Sequence, residues 1–451
     1  MALFEAHVKQ RHNTYLAAIF VLSVLLRVAV ALYLGDGVDA PPLLTDQRSY
    51  HALGARLITG HGFSFDKGWY PFTPPDTPTA HWSFLYSLFV AAVYALCGVH
   101  PLAVRLVQAV LGGILLPYVV YRLTWRVFET QRRVHPISPL AQPQILALVA
   151  ALLAAIYAYF ILYAATLMTE TFYIVALLWS LERTLALAQR PTVGQGVVLG
   201  VGLGIATLLR QSILPWVIVM FAWLLWVGHR QSNLRRTVLG LLISASILAL
   251  MISPFTIRNY RVYGTFLLLN SNAGYAMYSA QHSMHGTDFQ EFTAAPIPDE
   301  LWGLNEAQMD QELMRRGIGF VLADLGRYLQ LSLSRVRAYF EFWPTPDTSL
   351  LHSLGRAGSF GLFLPFMIYG LWLALRQVGL LRTPSDWAQF SVTPLALVLA
   401  FMAFYSILHI FTWAMSRYRL PVDAVALTFA ALAAVDVIRR VISVRQSLAV
   451  E

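Results

Sequence analysis

The chain is 451 residues long, 57% hydrophobic and only 12% charged, with a net charge of +9. A soluble globule of this length carries about 25% charged residues, so the composition assigns a polytopic membrane protein and excludes a row of soluble domains. The basic excess is almost all arginine set between apolar runs, which is not a nucleic-acid signal, and the single cysteine, Cys97, excludes an internal disulfide.

A bilayer core takes about 20 apolar residues per helix. The sequence predicts ten spans, at 15–34, 103–124, 145–164, 169–187, 194–210, 212–228, 237–254, 357–376, 391–411 and 420–438. No small-residue cleavage site follows the first, so it is expected to be retained. Short cytoplasmic loops carry excess Lys and Arg. Lys9 and Arg11 precede the first span, and Arg122, Arg126, Arg132 and Arg133 follow the second. Arg183 and Arg190 follow the fourth, and Arg230, Arg235 and Arg236 the sixth. Arg376 and Arg382 follow the eighth, and Arg439, Arg440 and Arg445 the tenth. Ten alternating spans place all of these, and both termini, inside. The agreement requires the apolar run Trp82–Cys97 to lie in the outer interface instead of crossing.

The expected organisation is an N-terminal transmembrane catalytic module, 1–254, with a first outer loop at 35–102. An outer-face segment, 255–353, and C-terminal transmembrane helices, 354–451, follow. Within the loop a helix is expected from Asp46 to Ile58, followed by a Pro-rich turn at 71–78. Within the outer segment, Gly317 to Phe342 has the periodicity of one amphipathic helix, with Arg327, Arg335 and Arg337 on its polar side.

The chemistry-bearing residues gather on the outer side. Leu44-Thr45-Asp46-Gln47-Arg48-Ser49-Tyr50 puts an acid, an amide, an arginine and a tyrosine at the mouth of the first span. Glu170 heads the fourth span. Each acid can cap a helix, and a carboxylate at the membrane boundary can also take a proton from a sugar or lipid hydroxyl. Arg210, Arg258, Arg261, Arg417 and Arg419 break the positive-inside pattern. Guanidinium forks suit a lipid phosphate, while snorkelling to headgroups is the alternative for any one of them. His81 leads into the interfacial run near Asp46. Asn270 opens a polar turn, Asn270-Ser-Asn-Ala-Gly274, which could hydrogen-bond a sugar or simply turn the chain. No glycine-rich phosphate loop and no Cys/His metal spacing is present in the sequence.

The ordered set resembles the integral-membrane glycosyltransferases of the C-type fold, specifically bacterial relatives of the protein O-mannosyltransferases and of the lipid A aminoarabinose transferase. It comprises Asp46-x-x-x-Tyr50, the Pro-rich turn with an interfacial helix ending at Gly98, Thr169-Glu170, and the glycine-rich span ending at Arg210. Pro254-x-x-x-Arg258-Asn259-Tyr260 and Arg417-Tyr418-Arg419-x-Pro421 complete it. The resemblance implies an all-α polytopic fold in the bacterial cytoplasmic membrane, with about ten transmembrane helices and its site facing the periplasm. It implies inverting transfer of a sugar from a polyprenyl-phosphate carrier to a lipid, polysaccharide or protein acceptor. Asp46 is then the base or acceptor-positioning group and Glu170 the second acid. Arg210, Arg258, Arg417 and Arg419 are the candidate donor-phosphate contacts, and Arg48, Tyr50, His81, Asn259, Asn270 and Tyr418 the further substrate contacts. Where the family has Asp-Glu, this chain has Asp46-Gln47, which removes one possible ligand, so an obligatory divalent metal is not expected and no other cofactor is implied. The rival class is a transporter or lipid flippase, which would carry charges in mid-span. Here only Arg27 lies clearly inside a run.

Overall fold

The computed structural model describes residues 11–38, 46–134, 142–290, 293–343, 353, 355–378 and 383–448. Among these residues the architecture is all-α. In chain order, α1 is His12–Leu34, α2 Asp46–Ile58, α3 Phe84–Cys97, α4 Pro101–Val134, α5 Pro143–Ile156, α6 Ala158–Ala164, α7 Glu170–Gln189 and α8 Val193–Leu209. Then come α9 Leu214–Arg230, α10 Leu234–Tyr263, α11 Ala273–Gln281, α12 Glu306–Ala323, α13 Leu325–Phe340, α14 Leu362–Val378, α15 Pro384–Ser391, α16 Pro394–Phe411 and α17 Leu420–Leu448. Thr45, Lys9 and Arg382, and the side chains of Arg132, Arg133 and Arg445, lie outside the described residues.

Eight helices among the described residues are long and apolar enough to cross a membrane, and nine if the pair α5 and α6, bent by 60°, is one span. The sequence predicts ten. The difference is α8, whose 17 residues rise only ~26 Å against a hydrocarbon core of ~30 Å. The helix nevertheless makes the same traverse as α7. Arg210, one residue past the end of α8, donates to Thr169 Oγ1 at 2.9 Å, one residue before the start of α7. The run Trp82–Cys97 becomes the 14-residue α3, ~21 Å long and packed against α2.

The bend between α5 and α6 explains Arg27. A helix that stops in an apolar setting leaves its last carbonyls without partners. Arg27, fully buried in α1, donates to the carbonyls of Ala154 at 3.2 Å and Ala155 at 3.0 Å, and to Ser23 Oγ at 2.6 Å. The bend itself is pinned from the other side. Tyr157 donates to Asp423 Oδ2 at 2.7 Å, and Asp423 pairs with Arg419 at 2.9 Å. The mid-span charge is therefore a helix cap.

The chain after α10 departs from the expected single helix over Gly317–Phe342. The chain breaks at Asp324, whose side chain accepts the Arg327 N–H at 2.8 Å and so caps α13. Arg335 is not on a polar face: it is fully buried and donates to the Ala280 carbonyl and to Gln281 Oε1 at 3.1 Å. Glu306, at the first turn of α12, fastens this segment to the first outer loop. Its carboxylate accepts Thr73 Oγ1 and Thr79 Oγ1, each at 3.1 Å, the Ala80 N–H at 2.7 Å and Ser271 Oγ at 2.5 Å.

Candidate active site

The two acids both open helices, where N-terminal N–H groups favour negative charge. Asp46 begins α2 and Glu170 begins α7. Helix capping does not exhaust either side chain. Arg417, in the one-turn helix Ser416–Arg419 before α17, donates from Nη1 to Asp46 Oδ2 at 2.8 Å. Its Nε lies 4.0 Å from Glu170 Oε1. Arg210 pairs with the same Glu170 oxygen. The result is a row of alternating charge, Asp46, Arg417, Glu170, Arg210, built from four separate parts of the chain. The guanidinium groups of Arg210 and Arg417 lie 5.4 and 5.3 Å from the centre of the Tyr418 ring, which spaces them by cation–π contact. Glu170 is 2% exposed, and its Oε2, like Arg417 Nε, is buried with no hydrogen-bond partner among the described residues.

This row borders a cavity of about 1910 Å³. Small-molecule pockets typically hold about 300–1,000 Å³, so there is room for two substrates. Asp46, Arg48, Tyr50, His81, Arg210, Asn270, Arg417 and Tyr418 line it. Glu170 stands behind Arg210 and Arg417, with its neighbour Thr169 at the wall. Tyr50 is buried edge-on to Trp82 and Tyr86, and burial, with Asp46 nearby, pushes its phenol up, so it stays neutral. His81 is buried with Nδ1 3.3 Å from the Ser271 carbonyl, so Nδ1 carries the proton and Nε2 is the basic nitrogen. Burial pushes its pKa down. Asn270 uses its amide to hold the Ala80 and Trp82 carbonyls at 3.0 and 2.7 Å.

Three expected contacts lie elsewhere. Arg258 is packed against the rings of Phe63, Phe84 and Tyr263 and donates to Asn259 Oδ1 at 3.0 Å. Asn259 is fully buried and ties the turn after α10 by donating to the Leu267 and Leu269 carbonyls. Arg419 points into the protein, where it pairs with Asp423, donates to the Tyr339 carbonyl at 2.5 Å and stacks 3.5 Å from the centre of the Phe360 ring. Only two of the four expected phosphate arginines, Arg210 and Arg417, meet at the cavity.

Sequence reasoning missed Trp82, Gln211, Tyr275 and Asp310, which also line the cavity. Gln211, next to Arg210, had the only local signal. Gln47 turns away from the cavity: its Oε1 accepts Arg105 Nη2 at 3.0 Å and the Leu167 N–H at 3.2 Å, which steadies the approach to Glu170. Asp46 and Glu170 each already hold a guanidinium, and among the described residues no three His, Cys, Asp or Glu side chains gather to hold a metal ion.

No family model and no curated protein matches the chain. Solved structures do. The archaeal oligosaccharyltransferase AglB from Archaeoglobus fulgidus, in complex with an inhibitory peptide and a dolichol-phosphate, is 14% identical with a TM-score of 0.56. The match covers 97% of this chain and 52% of that one, so the chain spans about half the length of that structure. ArnT from Cupriavidus metallidurans bound to undecaprenyl phosphate is 16% identical over 93% of this chain and 77% of that one, with a TM-score of 0.40. The chain has the C-type glycosyltransferase fold of membrane proteins.

Proposed function

We propose that this protein is a glycosyltransferase that moves a sugar from a polyprenyl-phosphate carrier to an acceptor hydroxyl, with inversion, at the outer face of a bacterial cytoplasmic membrane. The observation that carries the reading is the row Asp46, Arg417, Glu170, Arg210 at the wall of one large cavity. The fold it shares with AglB, solved with a dolichol-phosphate, supports a lipid-phosphate donor.

In this reading the acceptor oxygen attacks the anomeric carbon as the bond from that carbon to the phosphate oxygen breaks. The hydroxyl proton passes to Asp46, and the lipid phosphate leaves with the bond's electron pair. A phosphate leaving group needs its developing charge stabilised more than it needs a proton, and fixed guanidinium groups supply that. Arg417 is the residue shared between the two tasks. A donor phosphate that engages it draws it away from Asp46 and frees the carboxylate for the acceptor. Glu170 holds Arg210 and Arg417 in register.

The test is sugar transfer from synthetic polyprenyl-phosphate sugars by the purified full-length protein. Asp46→Asn keeps shape and is expected to bind the lipid donor normally while turnover falls about 10²-fold or more. Near-normal turnover by this variant would leave Asp46 as a helix cap and make His81 the next candidate base. Movement of the lipid-linked sugar across vesicles without any transfer would support a flippase instead.

A further inference from the structure

The wall of the cavity contributed by the outer segment carries a carboxyl group that the ionic row does not use. Asp310, on α12, lines the cavity and is 5% exposed. Its Oδ1 accepts the backbone N–H groups of Gly274 at 2.8 Å and Tyr275 at 3.2 Å. Those two groups are its hydrogen-bond partners among the described residues, so Oδ2 is left to the cavity. Burial raises its pKa to about 7, with Glu306 adding to the rise and the two N–H groups opposing it.

The wall around Asp310 is closely packed. A Cβ on Gly274 would lie 1.8 Å from the Asp310 carbonyl oxygen, and one on Gly317 would lie 2.7 Å from the Met277 carbonyl carbon. Helices α11 and α12 therefore touch backbone to backbone, and no larger residue fits at either position. Tyr275, Met277 and Met314 line the cavity beside Asp310. Tyr70, from the first outer loop, also lines it and shares a 2.5 Å hydrogen bond with the Tyr275 hydroxyl. An aromatic and apolar surface with one convergent polar group suits a ring that is apolar on its C–H face and hydroxylated at its edge.

We infer that Asp310 Oδ2 accepts a hydroxyl of a saccharide ring laid against Tyr70 and Tyr275, which makes this wall the saccharide subsite of the cavity. The inference rests on the transferase reading and gives it a recognition element. The chemistry is a sugar hydroxyl, and it can come from the donated sugar or from the acceptor.

Asp310→Asn separates recognition from folding. The amide oxygen can still accept the Gly274 and Tyr275 N–H groups, and only Oδ2 becomes an NH₂ donor. At a pH well above 7, where Asp310 is ionised and Oδ2 is an acceptor, the full-length protein is titrated with three probes: a short-chain polyprenyl monophosphate, the same lipid phosphate carrying mannose, glucose or galactose, and the methyl glycosides of these sugars. The wild type is expected to bind a saccharide from this panel, either as extra affinity over the bare lipid phosphate or as a glycoside. Asp310→Asn is expected to weaken that binding about tenfold or more while holding the bare lipid phosphate equally well. A loss on the lipid-linked sugars assigns the donor sugar, and a loss on the glycosides assigns the acceptor. Equal saccharide binding by both proteins, or no saccharide binding by the wild type across the panel, overturns the inference. Failure of the wild type to bind the bare lipid phosphate counts against the transferase reading instead, and the glycoside arm still tests Asp310.

Discussion

Arg417 and Asp46 form a 2.8 Å ion pair although 371 positions separate them in the chain. The contact closes the bundle, because it joins the helix after the first span to the turn before the last. In the proposed reaction the same guanidinium couples the base to the phosphate site.

Loss of that guanidinium should therefore be felt first by the donor. Arg417→Ala is expected to weaken polyprenyl monophosphate binding by roughly 10- to 150-fold, the equivalent of one charge-assisted contact of ~1.5–3 kcal/mol. Arg417→Lys should fall between, since a point charge cannot reproduce the fork. Arg258→Ala should leave donor binding unchanged, because that side chain packs against Phe63, Phe84 and Tyr263 outside the cavity. Titration of the lipid phosphate into the three variants decides, and equal loss in the Arg258 variant would reject this division of roles.

Arg419 should behave as a stability residue. Its partner Asp423 is 1% exposed and also receives Tyr157. Removing one member of a buried pair strands the other charge, at about 3–5 kcal/mol. Arg419→Ala is expected to lower the unfolding temperature strongly, while the double variant Arg419→Leu with Asp423→Leu should recover most of it. A single variant as stable as the wild type would refute the assignment.

Glu306 joins its own segment to residues 73–80 through three donors, Thr73, Thr79 and the Ala80 N–H, and also accepts Ser271 from its own side. Glu306→Gln replaces one accepting oxygen by a donor that faces hydroxyl and amide groups already committed. The expected loss is about 1.5–3 kcal/mol. Faster proteolysis within residues 60–80 and 264–305, with the spans uncut, is the readout. Unchanged cleavage would mean the segments hold together without this clamp.

Asp310 makes stability depend on pH. Burial raises its pKa from 3.8 to about 7 in the folded protein. The folded state therefore holds the proton more tightly than the unfolded chain does. The resulting stabilisation is complete below pH ~4 and is lost as pH rises through about 7. Melting temperature measured from pH 5 to 8 should fall more steeply with pH in the wild type than in Asp310→Asn. Parallel curves would show that the carboxyl group does not titrate in this window.

The sequence by itself determined the class and nine of the ten expected spans, all but the short α8, because transfer of an apolar run into lipid is a property of about 20 consecutive residues and needs no partner. It also located Asp46 and Glu170, since both begin helices and helix starts are written locally. It could not tell which of Arg210, Arg258, Arg417 and Arg419 share a cavity. Arg417 and Arg419 are two residues apart, yet one turns to Asp46 and the other to Asp423. That choice depends on the turn at Ser416–Arg419 and on where the bend at Tyr157 brings its hydroxyl. The break at Asp324, the burial of Arg335 and the inward course of Gln47 were hidden for the same reason. Each depends on a partner tens to hundreds of residues away, or on a cap that interrupts an otherwise unbroken helical period. Only the tertiary structure decided these, because side-chain direction is set by packing and hydrogen-bond satisfaction across elements, which local periodicity does not record.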